Sequence, residues 1–241
     1  MEFDVVKNDI TNLEVDAIVL PANEKLKEGP GTSGAIFNKA GREALTQACR
    51  EIGTCKVGDA VPTLAFNLNA NYIIHAVVPK WLDGDHQEYE FLSAAYLSAL
   101  NVADILECET IAFPLLSSGN NGFDLELAYN IAKSSINSFE GINIKKVVLV
   151  IYSDNVETFL KGKGVTIVSD QYISENDKAK EERKRKLKQF KEGAGRIARK
   201  ILEEQMAKAF EYLEDEENRE KVIHAGITIA TMVFARVKKT K

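Results

Sequence analysis

Cysteine is scarce in this chain, and it has neither a long apolar run nor a basic leader. The 241 residues include only three cysteines, Cys49, Cys55 and Cys108, an odd number whose spacing fits no zinc-binding pattern. We therefore expect reduced thiols that pack in the interior, with no disulfide framework and no metal site. The longest apolar-rich run, 225–235, is too short to span a bilayer, and residues 1–4 begin no signal peptide. These absences predict a cytoplasmic protein without a transmembrane segment.

Basic residues are in the minority over most of the chain. Residues 1–170 hold 13 Lys and Arg against 23 Asp and Glu, whereas residues 171–241 hold 18 against 13. This shift in composition predicts a domain boundary near Asp170. An acidic first domain argues against a direct nucleic-acid site, because a broad nucleic-acid surface needs clustered Lys and Arg. Any phosphate group that it binds must be held largely by backbone amides.

Short β-rich segments alternate with helical patterns in residues 1–170, which indicates a layered α/β domain. The predicted strands are Phe3–Val6, Asp16–Leu20, Ala60–Leu64, Tyr72–Ala76, Thr110–Pro114 and Lys146–Ile151, with Val165–Val168 as a candidate seventh. The predicted helices are Ser33–Ile52, Gln87–Glu107, Phe123–Phe139 and Asn155–Lys161. The connection 65–71 is too short for a crossover helix. The third and fourth strands are therefore expected to be antiparallel, which makes the sheet mixed.

Residues 171–241 have a different pattern. An apolar stripe at helical spacing runs from Leu187 to Leu213, the acidic run 214–217 interrupts it, and a second helical segment covers about 219–237. Two helices joined by a short connection predict a helical hairpin. Its apolar face must cover the α/β domain, a second copy of the chain or another protein.

Two glycine-rich loops each join a predicted strand to a predicted helix. The first, residues 29–34 (GPGTSG), has the spacing G-x-G-x-x-G of dinucleotide-binding loops, but it begins nine residues after its strand. It also lacks the Gly-Lys-Ser/Thr of a Walker A loop. The second, residues 116–123, leaves a strongly apolar strand. Such loops can turn successive N–H groups towards an anion, so that two of them could clasp a diphosphate. An ordinary surface turn and a tight strand–helix turn are the respective alternatives.

Several segments resemble the macro domain family in order and spacing. They are residues 5–11 (VVKNDIT), 15–23 (VDAIVLPAN), 34–41, 72–79 (YIIHAVVP) with the nearby Trp81, and 111–123. The resemblance covers residues 1–170 and leaves out the helical tail. It implies a three-layer α/β/α macro domain with a mixed central sheet, followed by a C-terminal helical extension at 171–241. It also implies a site for ADP-ribose or an ADP-ribosylated protein, without a further cofactor.

The resemblance assigns a contact to each part of the ligand. The Asp9 carboxylate would accept from the adenine amino group beside the Ile10 backbone, and Asn23 would hydrogen-bond the distal ribose, against which Phe123 would pack. Two sets of amides would wrap the diphosphate: Gly31, Thr32, Ser33 and Gly34 from the first loop, and Ser117, Ser118, Gly119, Asn120, Asn121 and Gly122 from the second. Simple turn roles for Asp9 and Asn23 stay open. His75, in an apolar strand, is expected to be a structural histidine.

Ser33 departs from the hydrolytic members of the family. Those that remove ADP-ribose from acidic side chains typically carry an Asp at this position, and a serine hydroxyl alone is a poor general base. Phe37 stands where many of them have His, and Glu28 and Pro30 replace glycines, which would stiffen the loop. The expected function is therefore binding of ADP-ribose.

Two alternatives to simple binding stay open. The first is hydrolysis of an ADP-ribose derivative (its O-acetyl ester, its 1″-phosphate or a protein adduct), with Asn23 orienting water or the ribose. The second is a scaffold with a vestigial nucleotide site, which would act through the helical tail.

Overall fold

A six-stranded mixed sheet forms the centre of the molecule. The computed structural model describes residues 1–168, 207, 209–212 and 215–239. Its strands are β1 (Glu2–Lys7), β2 (Ala17–Ala22), β3 (Ala60–Leu64), β4 (Tyr72–Val77), β5 (Thr110–Pro114) and β6 (Lys146–Ile151). They lie in the order β1-β6-β5-β2-β4-β3. Only β3 runs antiparallel to its neighbour, so the mixed sheet and the antiparallel pair are confirmed.

The candidate seventh strand at 165–168 contributes little to this sheet. Val168 makes a single parallel bridge to Val6 at the edge of β1, and its N–H donates to the carbonyl of Val5 at 2.8 Å. The prediction of a full strand is therefore wrong for the part of the chain that the structure describes. Residues 163 and 164 turn after the preceding helix, and residues 165–167 have no ladder partner.

The helices follow the predicted segments with one correction. They are α1 (Thr32–Ala40), α2 (Arg42–Ile52), α3 (Glu88–Ile105), α4 (Leu125–Ser138), α5 (Asp154–Gly162) and α6 (Glu216–Lys239). The single helix predicted over 33–52 is divided into α1 and α2 at Gly41, whose φ is +105°. A side chain at Gly41 would be strained at this φ, and its Cβ would lie 3.0 Å from Nδ2 of Asn67.

Alternate residues of the strands pack into two different cores. In β2, Ala17 and Val19 join the cluster under α3 and α4, whereas Ile18 and Leu20 join the cluster under α1 and α2. This alternation follows from the two-residue repeat of a strand with helices on both faces. The three-layer α/β/α fold is therefore confirmed.

The C-terminal helix α6 packs against α3 and α4 of the α/β domain. Val222 and Ala209 are buried in the same core cluster as α3, and Nε of Arg219 donates to Asp59 at 2.7 Å. The second predicted helix of the tail is thus confirmed, and at least one face of it covers the α/β domain. The first tail helix falls almost wholly outside the described residues, so the hairpin and the boundary at 170 stay predictions. No helix in the described ranges has the length and apolar content needed to cross a membrane.

Candidate functional site

Two loops leave neighbouring parallel strands at the same edge of the sheet. The first glycine-rich sequence begins in the connection from β2 to α1 (residues 23–31, now called the first loop) and continues into α1. The second lies in the connection from β5 to α4 (residues 115–124, now called the second loop). Because β2 and β5 are hydrogen-bonded in parallel, the two loops emerge side by side. Ligands of open α/β sheets bind at the carboxyl ends of strands, which is where both loops lie.

The Asn23 side chain closes the start of the first loop. Its Oδ1 accepts from the N–H groups of Lys25 and Lys27, each at 3.2 Å, and its Nδ2 donates to the Lys27 carbonyl at 2.7 Å. Leu26 anchors the same turn, since its side chain is buried in the core and its N–H donates to the Asn23 carbonyl at 2.8 Å. The turn role that sequence analysis left open for Asn23 is therefore present, on a side chain that is exposed at the edge of the site.

An ion pair and a serine hydroxyl fix the rest of the first loop. Both Glu28 carboxylate oxygens accept from Arg42 of α2, at 2.8 and 3.0 Å. The Gly29 N–H donates to Oγ of Ser33 at 3.0 Å. A Cβ at Gly34 would lie 3.1 Å from the Gly29 carbonyl oxygen, so the loop folds back on the start of α1. Contacts within the protein thus fix this loop.

Four successive N–H groups stand free where the first loop enters α1. Those of Gly31, Thr32, Ser33 and Gly34 donate to no acceptor in the described part of the chain. Gly31 has φ +65°, a conformation that glycine adopts without strain. Unpaired N–H groups at a helix N-terminus attract anions.

The second loop presents another row of unpaired N–H groups. Residues 117–121 donate their five N–H groups to no acceptor among the residues that the structure describes. The loop is closed instead by the N–H of Gly122, which donates to the Gly119 carbonyl at 2.9 Å, and by that of Phe123, which donates to the Ser117 carbonyl at 3.1 Å. Ser117 itself has φ +61°, and its Oγ donates to the carbonyl of Pro79 at 3.0 Å. The predicted amides at 31–34 and 117–121 are thus unpaired among the described residues, whereas that of Gly122, predicted with them, is engaged within the loop.

Phe123 is more deeply buried than the sequence suggests. Its side chain is only 4% exposed and meets Trp81 edge to face, with 5.2 Å between the ring centroids. The backbone N–H of Trp81 donates to the Asn121 carbonyl at 2.7 Å. Phe123 thus joins a wall at the end of the second loop and does not present an open flat face.

Asp9 lies at the carboxyl end of β1, three strands away from β2. Its Oδ1 accepts from the Thr11 N–H at 2.9 Å and the Thr11 hydroxyl at 2.8 Å, which caps a 3₁₀ turn over Ile10–Asn12. The second carboxylate oxygen and the Ile10 N–H have no partner among the described residues. Asp9 therefore caps a turn and keeps one acceptor next to a free donor.

Tyr152 is an exposed aromatic side chain beside Asp9. It follows β6 directly, and β6 pairs with β1 so that Lys7 is opposite Ile151. The N–H of Asn8 donates to the Ile151 carbonyl at 3.0 Å, which brings the chain at Asp9 next to Tyr152. The side chain of Tyr152 is 79% exposed. This end of the edge therefore carries an exposed aromatic ring.

Comparison with known proteins agrees with this geometry. The Macro domain family model matches residues 19–132. A macro domain-containing protein from Caldanaerobacter subterraneus subsp. tengcongensis is 44% identical over 155 residues, which cover 62% of this chain and 88% of that protein. The chain belongs to the macro domain family.

Two further relatives of this macro domain are informative. An Escherichia fergusonii protein named O-acetyl-ADP-ribose deacetylase is 43% identical over 139 residues, 56% of this chain and 78% of that protein. The solved structure of a mutant Oceanobacillus iheyensis macrodomain with ADPR superposes with a TM-score of 0.61 and 29% identity, over 66% of this chain and 89% of that one.

The macro domain site contains few groups suited to acid–base catalysis. Ser33 is buried, and its hydroxyl oxygen already accepts the Gly29 N–H. His75 is fully buried in β4, with Nε2 2.9 Å from the Thr63 hydroxyl. Burial lowers the pKa of His75 to about 3, so this ring stays neutral at physiological pH. The prediction of a structural core histidine is confirmed.

Sequence reasoning gave no role to two aromatic residues that the structure places at this edge of the macro domain, Trp81 beside the second loop and Tyr152 after β6. Trp81 contributed to the family resemblance but was given no place in the site, and Tyr152 was overlooked. The available signal was positional, because Tyr152 directly follows the apolar strand β6. An exposed aromatic at the carboxyl end of a parallel strand is a candidate ligand contact.

Proposed function

We propose that this macro domain binds ADP-ribose, free or attached to a protein, across the edge of the sheet from Asp9 to the second loop. The observation that carries the proposal is the pair of unpaired N–H rows, at 31–34 and 117–121, on loops from adjacent strands. The related macrodomain with ADPR supports the choice of ligand. The three cysteines are buried thiols that form no disulfide, which fits action in the reducing cytoplasm.

Amides suit the diphosphate of this ligand because they add no net charge. The first row lies at the N-terminus of α1, where the helix dipole favours an anion. The second row forms a concave nest in a loop that φ values above zero at Ser117 and Gly122 bend back on itself. Each row would take one face of the diphosphate.

The two ends of the ligand would contact different elements. The adenine amino group would donate to the free oxygen of Asp9, the Ile10 N–H would donate to a ring nitrogen, and the base would lie on Tyr152. The distal ribose would hydrogen-bond Asn23 at the exposed turn of the first loop and rest against the wall of Phe123 and Trp81. Asn23 must exchange some of its contacts with Lys25 and Lys27 for this bond.

Calorimetric titration with ADP-ribose tests the proposal, with ATP and NAD as comparators. One-to-one saturable binding with a clear preference for ADP-ribose is expected. Equal affinities for all three ligands would reduce the site to a general nucleotide site. The absence of heat and of thermal stabilisation at high ligand concentration would contradict the proposal and favour a vestigial site.

Hydrolysis of an ADP-ribose derivative is the second candidate, and the relative named O-acetyl-ADP-ribose deacetylase favours it. The amides of both loops could stabilise an oxyanion that develops at an ester. Ser33 would not act as the base, since its hydroxyl is engaged within the loop. Asn23 would orient water or the ribose. Release of ADP-ribose from the O-acetyl ester, lost in Asn23→Ala, would establish the activity; tight binding without turnover would exclude it.

The C-terminal extension is proposed to contact a protein partner as well as the α/β domain. Ile227 of α6 is 42% exposed, on a helix whose Gly226 and Val222 are buried against the domain. A second copy of the chain is one such partner. A monomer mass for the full chain in light scattering would exclude the homodimer.

A further inference from the structure

The carboxylate of Glu88 is buried among backbone N–H groups. Glu88 is the first residue of α3 and is 2% exposed. Its Oε1 accepts from the N–H groups of Leu82, Asp83 and Gly84 at 3.1, 3.2 and 3.1 Å. Its Oε2 accepts from that of His86 at 2.7 Å. One side chain therefore organises residues 82–86 of the connection between β4 and α3 (the Glu88 loop).

These four backbone N–H groups, the cradle of Glu88, keep its carboxylate ionised. Burial alone would raise the pKa of the carboxyl, but the backbone N–H groups that donate to it outweigh burial and lower the pKa to about 2. Glu88 also lies within 4.8 Å of ligand atoms of Asp83 and His86, a combination that could suggest a metal ion. Both of its oxygens already accept hydrogen bonds, so a structural role explains the cluster without an ion.

The loop that Glu88 organises holds Trp81 from one side. A Cβ at Gly84 would lie 3.0 Å from the Trp81 ring and 2.8 Å from the Tyr89 hydroxyl, so the loop backbone rests directly on both rings. Trp81 and Tyr89 meet edge to face with 5.4 Å between centroids. The indole is therefore fixed between the Glu88 loop and the start of α3.

Trp81 contacts the second loop from its other side. The backbone N–H of Trp81 donates to the Asn121 carbonyl at 2.7 Å, and the indole ring meets Phe123 at 5.2 Å between centroids. A Cβ at Gly122 would lie 3.7 Å from Cβ of Trp81, in ordinary contact. Residues 121–123 thus take their position from Trp81, which takes its own from the Glu88 loop.

We propose that Glu88 is a positioning residue that sets the ligand-binding geometry of the second loop through Trp81. The inference deepens the proposed function and rests on it for the identity of the ligand. Glu88 itself touches no ligand. Its effect is directed to the end of the cleft at residues 121–123, where the distal ribose would lie, and not to the Asp9 end. Replacing Glu88 should therefore weaken the binding of ligands that contain the distal ribose and leave the binding of ligands without it unchanged.

The test compares ADP-ribose with AMP, which lacks the second phosphate and the distal ribose. Glu88→Gln replaces one acceptor oxygen by an NH₂ group that faces N–H donors. We expect its Kd for ADP-ribose to rise about tenfold and its Kd for AMP to stay within about twofold. Trp81→Leu leaves the cradle intact and should reproduce the same selective loss. Asp85→Asn, an exposed carboxylate of the same loop, is the matched control and should bind like the wild type.

Fluorescence gives a readout that needs no ligand. Trp81 is the only tryptophan in the chain, so tryptophan emission and its quenching by acrylamide report the surroundings of this one side chain. We expect Glu88→Gln to increase quenching and shift the emission to longer wavelength, and Asp85→Asn to do neither. Unchanged quenching in Glu88→Gln would overturn the proposal even if the wild type bound no ADP-ribose, a result that would contradict the proposed function separately.

The remaining outcomes are also decisive. An unchanged Kd for ADP-ribose in Glu88→Gln, or an equal loss for ADP-ribose and AMP, would show that Glu88 does not act selectively on the second loop. If Glu88→Gln does not fold, Glu88→Asp, which keeps both acceptor oxygens on a side chain shorter by one methylene group, decides in its place. Selective loss of ADP-ribose affinity together with increased quenching of Trp81 in that variant supports the positioning route, and wild-type affinity with wild-type quenching overturns it.

Discussion

Gly226 of α6 lies directly against the backbone of Glu90 in α3. A Cβ at Gly226 would be 2.9 Å from the Glu90 carbonyl oxygen and 3.2 Å from the nitrogen of Ala94. Real Cβ atoms do not approach backbone so closely, so a larger residue must separate the two helices. This contact between α6 and α3 lies within two helical turns of Glu88, at the end of α3 that supports Trp81. The C-terminal helix is therefore a packed part of the α/β domain on this side.

Replacing this glycine should loosen the C-terminal helix. We expect Gly226→Leu to lower the free energy of unfolding by about 1–3 kcal/mol, because overpacking at a close contact forces the backbones apart. Ala225→Leu, at an exposed position of the same helix, should change it by less than about 0.5 kcal/mol. Urea unfolding followed by circular dichroism measures both variants. Equal stabilities would show that α6 does not pack on α3 in solution.

The order and kind of the elements could be predicted from sequence because they depend on local patterns. The two-residue repeat of β2 and the helical spacing in α3 mark buried faces without any knowledge of the fold. The division at Gly41 could not be predicted in the same way, since the apolar pattern continues through it. What breaks the helix is a positive φ and the approach of Asn67, which comes from another part of the chain.

The unpaired amides of the proposed site could be predicted because each row lies within one loop. The amides of 31–34 and 117–121 follow from glycine-rich sequences at strand ends. The burial of Phe123 does not, because it depends on Trp81, a residue 42 positions earlier in the sequence. The place of Tyr152 beside Asp9 likewise depends on the pairing of β6 with β1. Contacts between distant segments are set by topology, which a single sequence expresses only weakly.

His75 should make the fold sensitive to acid. Burial lowers its pKa from 6.5 to about 3, so the folded state disfavours the proton that the unfolded state binds. This contribution is fully present above pH 6.5 and is lost as the pH falls from 6.5 towards 3. Between pH 7 and pH 5 we expect the free energy of unfolding to fall by about 2 kcal/mol from this group alone.

Urea unfolding of His75→Gln at both pH values isolates this effect. The loss between pH 7 and pH 5 should be smaller in the variant than in the wild type, whatever its absolute stability. His86 acts in the opposite direction, because its bond to Asp83 raises its pKa, but it is present in both proteins and cancels. His224→Gln, at an exposed position, is the control. Identical pH dependence in His75→Gln and the wild type would contradict the buried neutral histidine.

Asp9 should determine the preference for adenine. In Asp9→Asn the free oxygen becomes an NH₂ group in one amide orientation, which can donate to a carbonyl but cannot accept from an amino group. We expect the Kd for ADP-ribose to rise about tenfold, while the inosine analogue of ADP-ribose, with a carbonyl at the same position, loses nothing. Calorimetry with both ligands measures the change. Asp4→Asn, which removes the same charge from β1, is the control, and a parallel loss for both ligands would assign Asp9 to turn capping alone.

The ion pair of Glu28 with Arg42 should stabilise the first loop modestly. Both side chains are partly exposed, so a double-mutant cycle with Glu28→Ala and Arg42→Ala should give a coupling energy of about 0.2–1 kcal/mol. The coupling should shrink in 1 M salt, where charges are screened within about 3 Å. ADP-ribose affinity measured for the same four proteins should fall no more than a few-fold. A coupling that salt leaves unchanged would mean that packing, and not charge, holds this loop.

Tyr152 should contribute affinity to every ligand that contains adenine. Its ring is exposed in the free protein, so Tyr152→Ala removes a surface for the base without disturbing the core. Stacking of a base on an aromatic side chain is worth about 1–3 kcal/mol, which corresponds to about a 5- to 150-fold rise in Kd. The loss should be the same for ADP-ribose and AMP, unlike the selective loss expected of Glu88→Gln. Tyr152→Phe, which keeps the ring, should restore wild-type affinity. If Tyr152→Ala binds both ligands as the wild type does, the base does not lie on this residue, and the adenine end of the cleft must be sought on the other side of Asp9.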